Sequence, residues 1–145
     1  MPIERAAFDG VSISRLIRGG WQLHEAAGRL DRAAALLRTA VRAQKMIYSC
    51  GNGGSCAISN HLLCDFAKGI QTDTEFRPHI ASLSANTELI TAIANDIHYD
   101  AVFSEQLRLL ARPGDVALAI SGSGNSPNIL AGLRTARDIG LSTIG

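Results

Sequence analysis

Two stretches of the chain have the makings of an anion site. Residues 47–55 read IYSCGNGGS and residues 117–126 read ALAISGSGNS. Each passes from an apolar, β-favouring run into small residues, and a helical pattern follows. A helix that starts behind such a turn presents unsatisfied N–H groups and a partial positive charge, which suit a phosphate or another oxyanion. Glycine lets the backbone approach the ligand, and serine hydroxyls add donors. The second turn, Ser121-Gly122-Ser123-Gly124-Asn125-Ser126-Pro127, fits this chemistry well. Ser121, Ser123 and Ser126 bring three hydroxyls to one anion-sized space. Ser126 is placed to cap the helix, and Pro127 takes the first helical position, where a missing N–H costs nothing. The first turn, Gly51 to Ser55, offers the amide of Asn52 and a tight bend through Gly53. Neither turn continues into the Gly-Lys-Ser/Thr of a nucleotide P-loop, and neither carries Gly-x-Gly-x-x-Gly, so no nucleotide cofactor is expected.

Such turns work only if a scaffold aims them at one place. From Lys45 onward, short apolar runs at 46–50, 79–83, 116–120 and 142–144 alternate with helical patterns at 55–67, 87–94, 99–110 and 126–139. That alternation predicts an α/β fold, a parallel sheet with helices on both faces. In such a sheet ligands sit beyond the carboxyl ends of the strands, where both turns fall, so a polar, phosphorylated ligand gripped from two directions is expected. Residues 1–44 read as a helical segment for packing or oligomer contact, with one stretch near 11–17 and another near 30–40, broken around Gly28 and Asp31. Trp21 favours the oligomer contact. The domain reading is therefore 1–44 and 45–145. The chain stops at Gly145 just as a fourth strand begins, which predicts that the complete protein continues beyond it.

Composition narrows the classes. At 145 residues, with 46% apolar and 19% charged residues, the chain is expected to be one soluble globular domain. A net charge of +1 gives no reason to expect nucleic acid or an anionic membrane surface as partner. No run approaches the roughly 18 apolar residues of a membrane span, and the N-terminus lacks the order of a secretory signal. Cys50, Cys56 and Cys64 are odd in number and have no zinc-ribbon spacing, which reads as buried, reduced thiols in a cytoplasmic protein. His61 and Asp65 stand at i and i+4 on one helix face, an arrangement that by spacing alone is commonly a surface ion pair. His79 and His98 are isolated.

CGNGGS followed by His61, then TAIANDIHYDAVFSEQL, then RPGDVALAISGSGNSPNIL, resembles the sugar isomerase (SIS) superfamily, and within it the phosphoheptose isomerase branch with its non-catalytic relatives. The similarity runs from about Lys45 to the end of the chain. It implies a three-layer, flavodoxin-like α/β/α sandwich and a cytoplasmic homotetramer with active sites at subunit interfaces. The implied activity is the aldose–ketose isomerisation of sedoheptulose 7-phosphate. The alternatives are an isomerase of another phosphosugar and a phosphosugar-binding regulatory protein without turnover. By position, Ser121, Ser123 and Ser126 match the family's phosphate cradle, with Gly122 standing where relatives often carry threonine. Asn52, Gly53, Ser55 and Asp96 match residues that hold the sugar. Asp65 stands where the family has its catalytic glutamate, four residues after the helix histidine. Some members bind zinc through this pair, His61 and Asp65 here, completed by a glutamine and a histidine from a C-terminal helix. That helix would lie beyond Gly145.

Overall fold

The structure is a computed structural model, and it describes residues 23–145. The expected stretch near 11–17 and Trp21 lie outside the described residues. The chain divides into two compact units, residues 1–36 and 37–145, and the sheet lies in the second. In order, the elements are α1 (Leu23–Arg42), β1 (Met46–Gly51) and α2 (Gly54–Cys64). A π-helical turn (Asp65–Gly69) then runs into α3 (Ile70–Asp73), followed by β2 (His79–Ser82) and α4 (Thr87–Asp96). A 3-10 turn (Tyr99–Ala101) leads into α5 (Val102–Leu110), and β3 (Val116–Ile120), α6 (Pro127–Ile139) and β4 (Ser142–Ile144) complete the set.

The four strands form one parallel sheet in the order β2-β1-β3-β4, as the alternation predicts. Ser49 of β1 lies opposite Ser82 of β2 on one side and Leu118 of β3 on the other. Right-handed crossovers decide where the helices go. The step from β1 to β2 moves one way along the sheet, whereas the steps β2 to β3 and β3 to β4 move the other way. Helix α2 therefore covers one face, and α4, α5 and α6 cover the opposite face. The direction of winding reverses between β1 and β3, which makes their carboxyl ends the topological switch point, the place where open α/β sheets take up ligands.

The two faces of β1 are chemically different. Tyr48 and Cys50 join Val102, Phe103, Leu107, Ile129 and Ala136 in the main core. Ile47, Val102 and Leu107 are at most 1% exposed, and each contributes about 2 kcal/mol through burial. On the α2 face, Ser49 and Ser59 are fully buried, and the Ser59 hydroxyl donates to Ser49 Oγ at 2.8 Å. Ser82 Oγ is 2.8 Å from Ser59 Oγ and donates to Asn60 Oδ1 at 2.6 Å. Hydroxyl pairing thus carries α2 onto the sheet where apolar contact would have been expected, and it leaves no buried polar side-chain atom without a partner among the described residues.

The turn at residues 112–115 delivers the chain into β3. The buried Asp115 carboxylate accepts from the N–H groups of Arg112 (2.9 Å) and Met46 (3.0 Å), which ties the turn to the start of β1. Four local expectations are corrected. Helix α1 runs unbroken through Gly28 and Asp31, since one glycine costs a helix only about 1 kcal/mol and good helix formers surround it. The helix expected over 55–67 becomes α2, the π turn and α3, and the one expected over 99–110 opens with a 3-10 turn. Of the three cysteines only Cys50 is buried; Cys64 ends α2 on its outer side and is exposed.

Burial pushes the Cys50 thiol up to about 12, so it stays protonated and inert at neutral pH. A thiol reagent at pH 8 should modify Cys64 promptly and Cys50 only when the protein unfolds, which mass spectrometry of the labelled peptides reads directly. The unfolded thiol loses its proton near 9.0 and the folded one near 12. Cys50 therefore contributes stability that declines as pH climbs through that interval.

Candidate anion site at the strand switch point

Both glycine–serine turns lie at the switch point, one behind β1 and one behind β3. The first is a close approach of strand to helix. A Cβ on Gly51 would lie 2.5 Å from the Ser55 carbonyl oxygen, so only glycine fits there. Gly53 bends the chain with φ 51°, a conformation that favours glycine. From below, Ser84 fixes the bend: its hydroxyl donates to the Gly51 carbonyl (2.9 Å) and accepts from the Gly51 N–H (3.0 Å). The second turn bends through Gly124 at φ 68°. Here Ser121 Oγ accepts from the Gly124 N–H (3.1 Å) and Ser123 Oγ from the Asn125 N–H (3.2 Å). Ser123 Oγ and Ser126 Oγ each lie 3.4 Å from Ser121 Oγ, so the three hydroxyls form one group. None of the three serines is buried.

Ser126 does not cap α6 as the sequence suggested; it makes no side-chain bond to the first turn, and its hydroxyl is turned towards Ser121 instead. The N-cap of α2, Gly53, has no side chain to offer, and neither α2 nor α6 has an acidic residue in its first turn. By contrast, α4 is capped by Asn86 and begins with Glu88. At the switch point neither α2 nor α6 donates a hydrogen bond to its N-cap side chain or carries a carboxylate in its first turn, which is the electrostatic condition for an incoming anion.

The turns face each other. Asn52 Nδ2 donates to Asn128 Oδ1 at 2.9 Å and Asn128 Nδ2 donates to Asn52 Oδ1 at 2.8 Å, a reciprocal amide pair between the two elbows. The Tyr99 hydroxyl donates to the same Asn52 Oδ1 at 3.0 Å. This bond carries the chain just after Asp96 over the first elbow. Asp96 itself is exposed and accepts from Asn95 Nδ2 at 2.8 Å. Sequence reasoning missed Ser84, Tyr99 and Asn128. The available signal was Asn128: it falls in register with the buried stripe Ile129, Gly132, Thr135 and Ala136 of α6, and an amide there demands a partner.

His61 and Asp65 are brought to each other, Nε2 to Oδ1 at 3.5 Å, with both side chains more than half exposed. They stand farther along, His61 on α2 and Asp65 at the start of the π turn, roughly 9 and 15 Å along the helix axis from Ser55 by helical rise, and no hydrogen bond joins them to either elbow. As metal donors they number two, below the three protein ligands of a catalytic zinc. Among the described residues no group of three or more His, Cys, Asp or Glu stands ready to hold an ion.

Comparison with known proteins supports the same family. The profile of the SIS domain matches residues 21–145. The phosphoheptose isomerase of Solidesulfovibrio magneticus is 43% identical over 116 residues, covering 80% of this chain and 56% of that protein. That of Synechocystis is 39% identical, covering 81% and 60%. The chain thus spans less than two thirds of the length of these curated relatives. The solved phosphoheptose isomerase of Neisseria gonorrhoeae superposes with a TM-score of 0.72 at 34% identity, covering 80% of this chain and 59% of that one. The Francisella tularensis enzyme gives 0.74 at 25% identity, covering 80% and 60%. A parallel sheet wound this way, with its glycine–serine elbows at the switch point and this likeness over most of its length, belongs to the SIS domain family.

Proposed function

We propose that the protein is an aldose–ketose isomerase that converts sedoheptulose 7-phosphate to D-glycero-D-manno-heptose 7-phosphate. The observation that carries this reading is the pair of uncapped, acid-free helix ends held face to face by Asn52 and Asn128 at the switch point. The relatives and the superposed structures, phosphoheptose isomerases by name, support it. In this reading Ser121, Ser123 and Ser126 take the phosphate, and that remote binding energy orients the sugar. Asn52, Gly53, Ser55 and Asp96 hold the sugar, and Gly122 leaves the cradle open at one position, since a Cβ there would meet nothing within 4 Å. Asp65 is the base. It removes the C1 proton of the ketose, the C2 oxygen gains a proton to give the enediol, and return of a proton to C2 with loss of one from the C1 hydroxyl leaves the aldose. His61 orients the carboxylate. Zinc belongs to the same reading only as an ion for which His61 and Asp65 would be two of the ligands. The protein would act in the cytoplasm as a homotetramer; exposed Ile58, Leu109 and Leu110 are apolar side chains that an assembly would cover.

The full-length protein incubated with sedoheptulose 7-phosphate should form the aldoheptose phosphate, detected by mass spectrometry after borohydride trapping. Asp65→Asn should lower turnover by about 10²- to 10⁴-fold while leaving phosphosugar affinity in place. Absence of turnover in the wild type, with or without added zinc, removes the isomerase reading. A second reading, a phosphosugar-binding regulatory protein, draws on the exposure of the His61–Asp65 pair. It predicts thermal stabilisation by the same sugar phosphate with no product.

A further inference from the structure

We propose that Tyr99 and Asn128 are positioning residues: together they lock the Asn52 side-chain amide in one orientation, so that it can donate a hydrogen bond to a ligand and cannot accept one. The inference rests on the phosphosugar reading for the identity of the ligand and on the hydrogen bonds alone for the lock.

The orientation is fixed step by step. The backbone N–H of Ile129 donates to Asn128 Oδ1 at 3.0 Å. A backbone donor cannot be exchanged for an acceptor, so the oxygen of this buried amide, 1% exposed, must sit where it does. Asn52 must then present its nitrogen to Asn128 Oδ1 and its oxygen to Asn128 Nδ2, the observed reciprocal pair. The Tyr99 hydroxyl supplies the second donor to Asn52 Oδ1. A carbonyl oxygen has two lone pairs, and both are now engaged, whereas the amide nitrogen has two N–H groups with one engaged. What remains on Asn52 is a single donor.

This sets the chemistry of the ligand group that meets it. An oxygen with a free lone pair, from a hydroxyl, a carbonyl or a phosphoryl group, is recognised; a group that only donates, such as an ammonium, finds no partner. Without the Tyr99 hydroxyl, Asn52 Oδ1 regains a lone pair, water competes for it, and the amide loses one of its three restraints. The phosphate end of the site, built from Ser121, Ser123 and Ser126, is not touched by that change.

Tyr99→Phe is the informative variant because Tyr99 is 52% exposed and its ring is kept. Isothermal titration with sedoheptulose 7-phosphate should show affinity about fivefold weaker in this variant, the loss of one hydrogen bond. Affinity for inorganic phosphate should be unchanged. Equal losses for the two probes, or no loss for either, overturn the positioning role, because a merely structural residue would not change their ratio. A ligand-free measurement decides the lock separately. In a double-mutant cycle of Tyr99→Phe with Asn52→Ala, the urea-unfolding constants should depart from additivity by at least about twofold, and additive effects overturn the lock. A wild-type protein that binds neither probe while the cycle stays non-additive overturns the phosphosugar reading and leaves the lock standing.

Discussion

Gly51→Ala is expected to cost about 3 kcal/mol of stability, the upper end of what one methyl forced into a packed site usually costs, and to lower the unfolding midpoint by roughly 10 °C. The new Cβ would lie 2.5 Å from the Ser55 carbonyl oxygen, 2.6 Å from its carbonyl carbon and 2.8 Å from its Cβ. Two of these atoms are backbone, so no side chain can swing aside, and the first turn of α2 must move off the strand. The same shift strains the two bonds between Ser84 and Gly51 and displaces Asn52 from Asn128. Binding of a sugar phosphate should therefore fall along with stability. Gly53→Ala is the control. Its φ of 51° and ψ of −121° strain an L-residue by about 1–3 kcal/mol, but a Cβ there meets nothing within 4 Å, so the turn is strained without α2 being pushed off the strand. Thermal and urea unfolding of the two variants side by side checks the comparison. Gly51 has no positive φ, so a Gly51→Ala protein as stable as the wild type would mean that strand and helix do not approach closely there.

The contrast between those glycines shows what was legible in the sequence. The strand-to-helix elbows announce themselves because the reason for each residue is local: an apolar run, then glycine where the chain bends, then a helical pattern. The parallel sheet follows from the same alternation, and the positions of both elbows follow from the sheet. What is not local was not legible. Ser84 holds Gly51 across 33 residues, Tyr99 reaches Asn52 across 47, and Asn128 reaches it across 76. Nothing in the neighbourhood of any one of them announces its partner. The Ser49–Ser59–Ser82 hydroxyl contacts fall where strand and helix periodicity predict apolar packing. The π turn that begins at Asp65 is invisible for a different reason: it changes which carbonyl each N–H reaches, and no residue type in Asp65–Gly69 marks that change. Ser126 was misread because a serine before a helix serves a cap and an anion site equally well in sequence, and only the direction of its hydroxyl separates the two.

That direction makes Ser126 the sharpest test of the cradle. Neither elbow contains lysine or arginine, so an anion there must be held by hydroxyls, backbone N–H groups and the ends of α2 and α6. A hydrogen bond to a charged group is worth about 1.5–3 kcal/mol, so Ser126→Ala should weaken phosphate or sugar phosphate binding roughly 10- to 100-fold. Ser121→Ala should do at least as much, because Ser121 Oγ lies 3.4 Å from both other hydroxyls and also receives the Gly124 N–H. The pair together should lose about 100-fold or more, measured by titration calorimetry at fixed ionic strength. Stability separates the two possible roles of Ser126. A capping serine replaced by alanine costs about 1 kcal/mol, whereas the hydroxyl of this serine makes no bond to the first turn of α6, so its loss should cost nearly nothing. An Ser126→Ala protein that melts early and binds phosphate as tightly as the wild type would make the residue a cap after all. The cradle would then lose one of its three hydroxyls, and with it the chemistry that distinguishes this elbow from an ordinary turn.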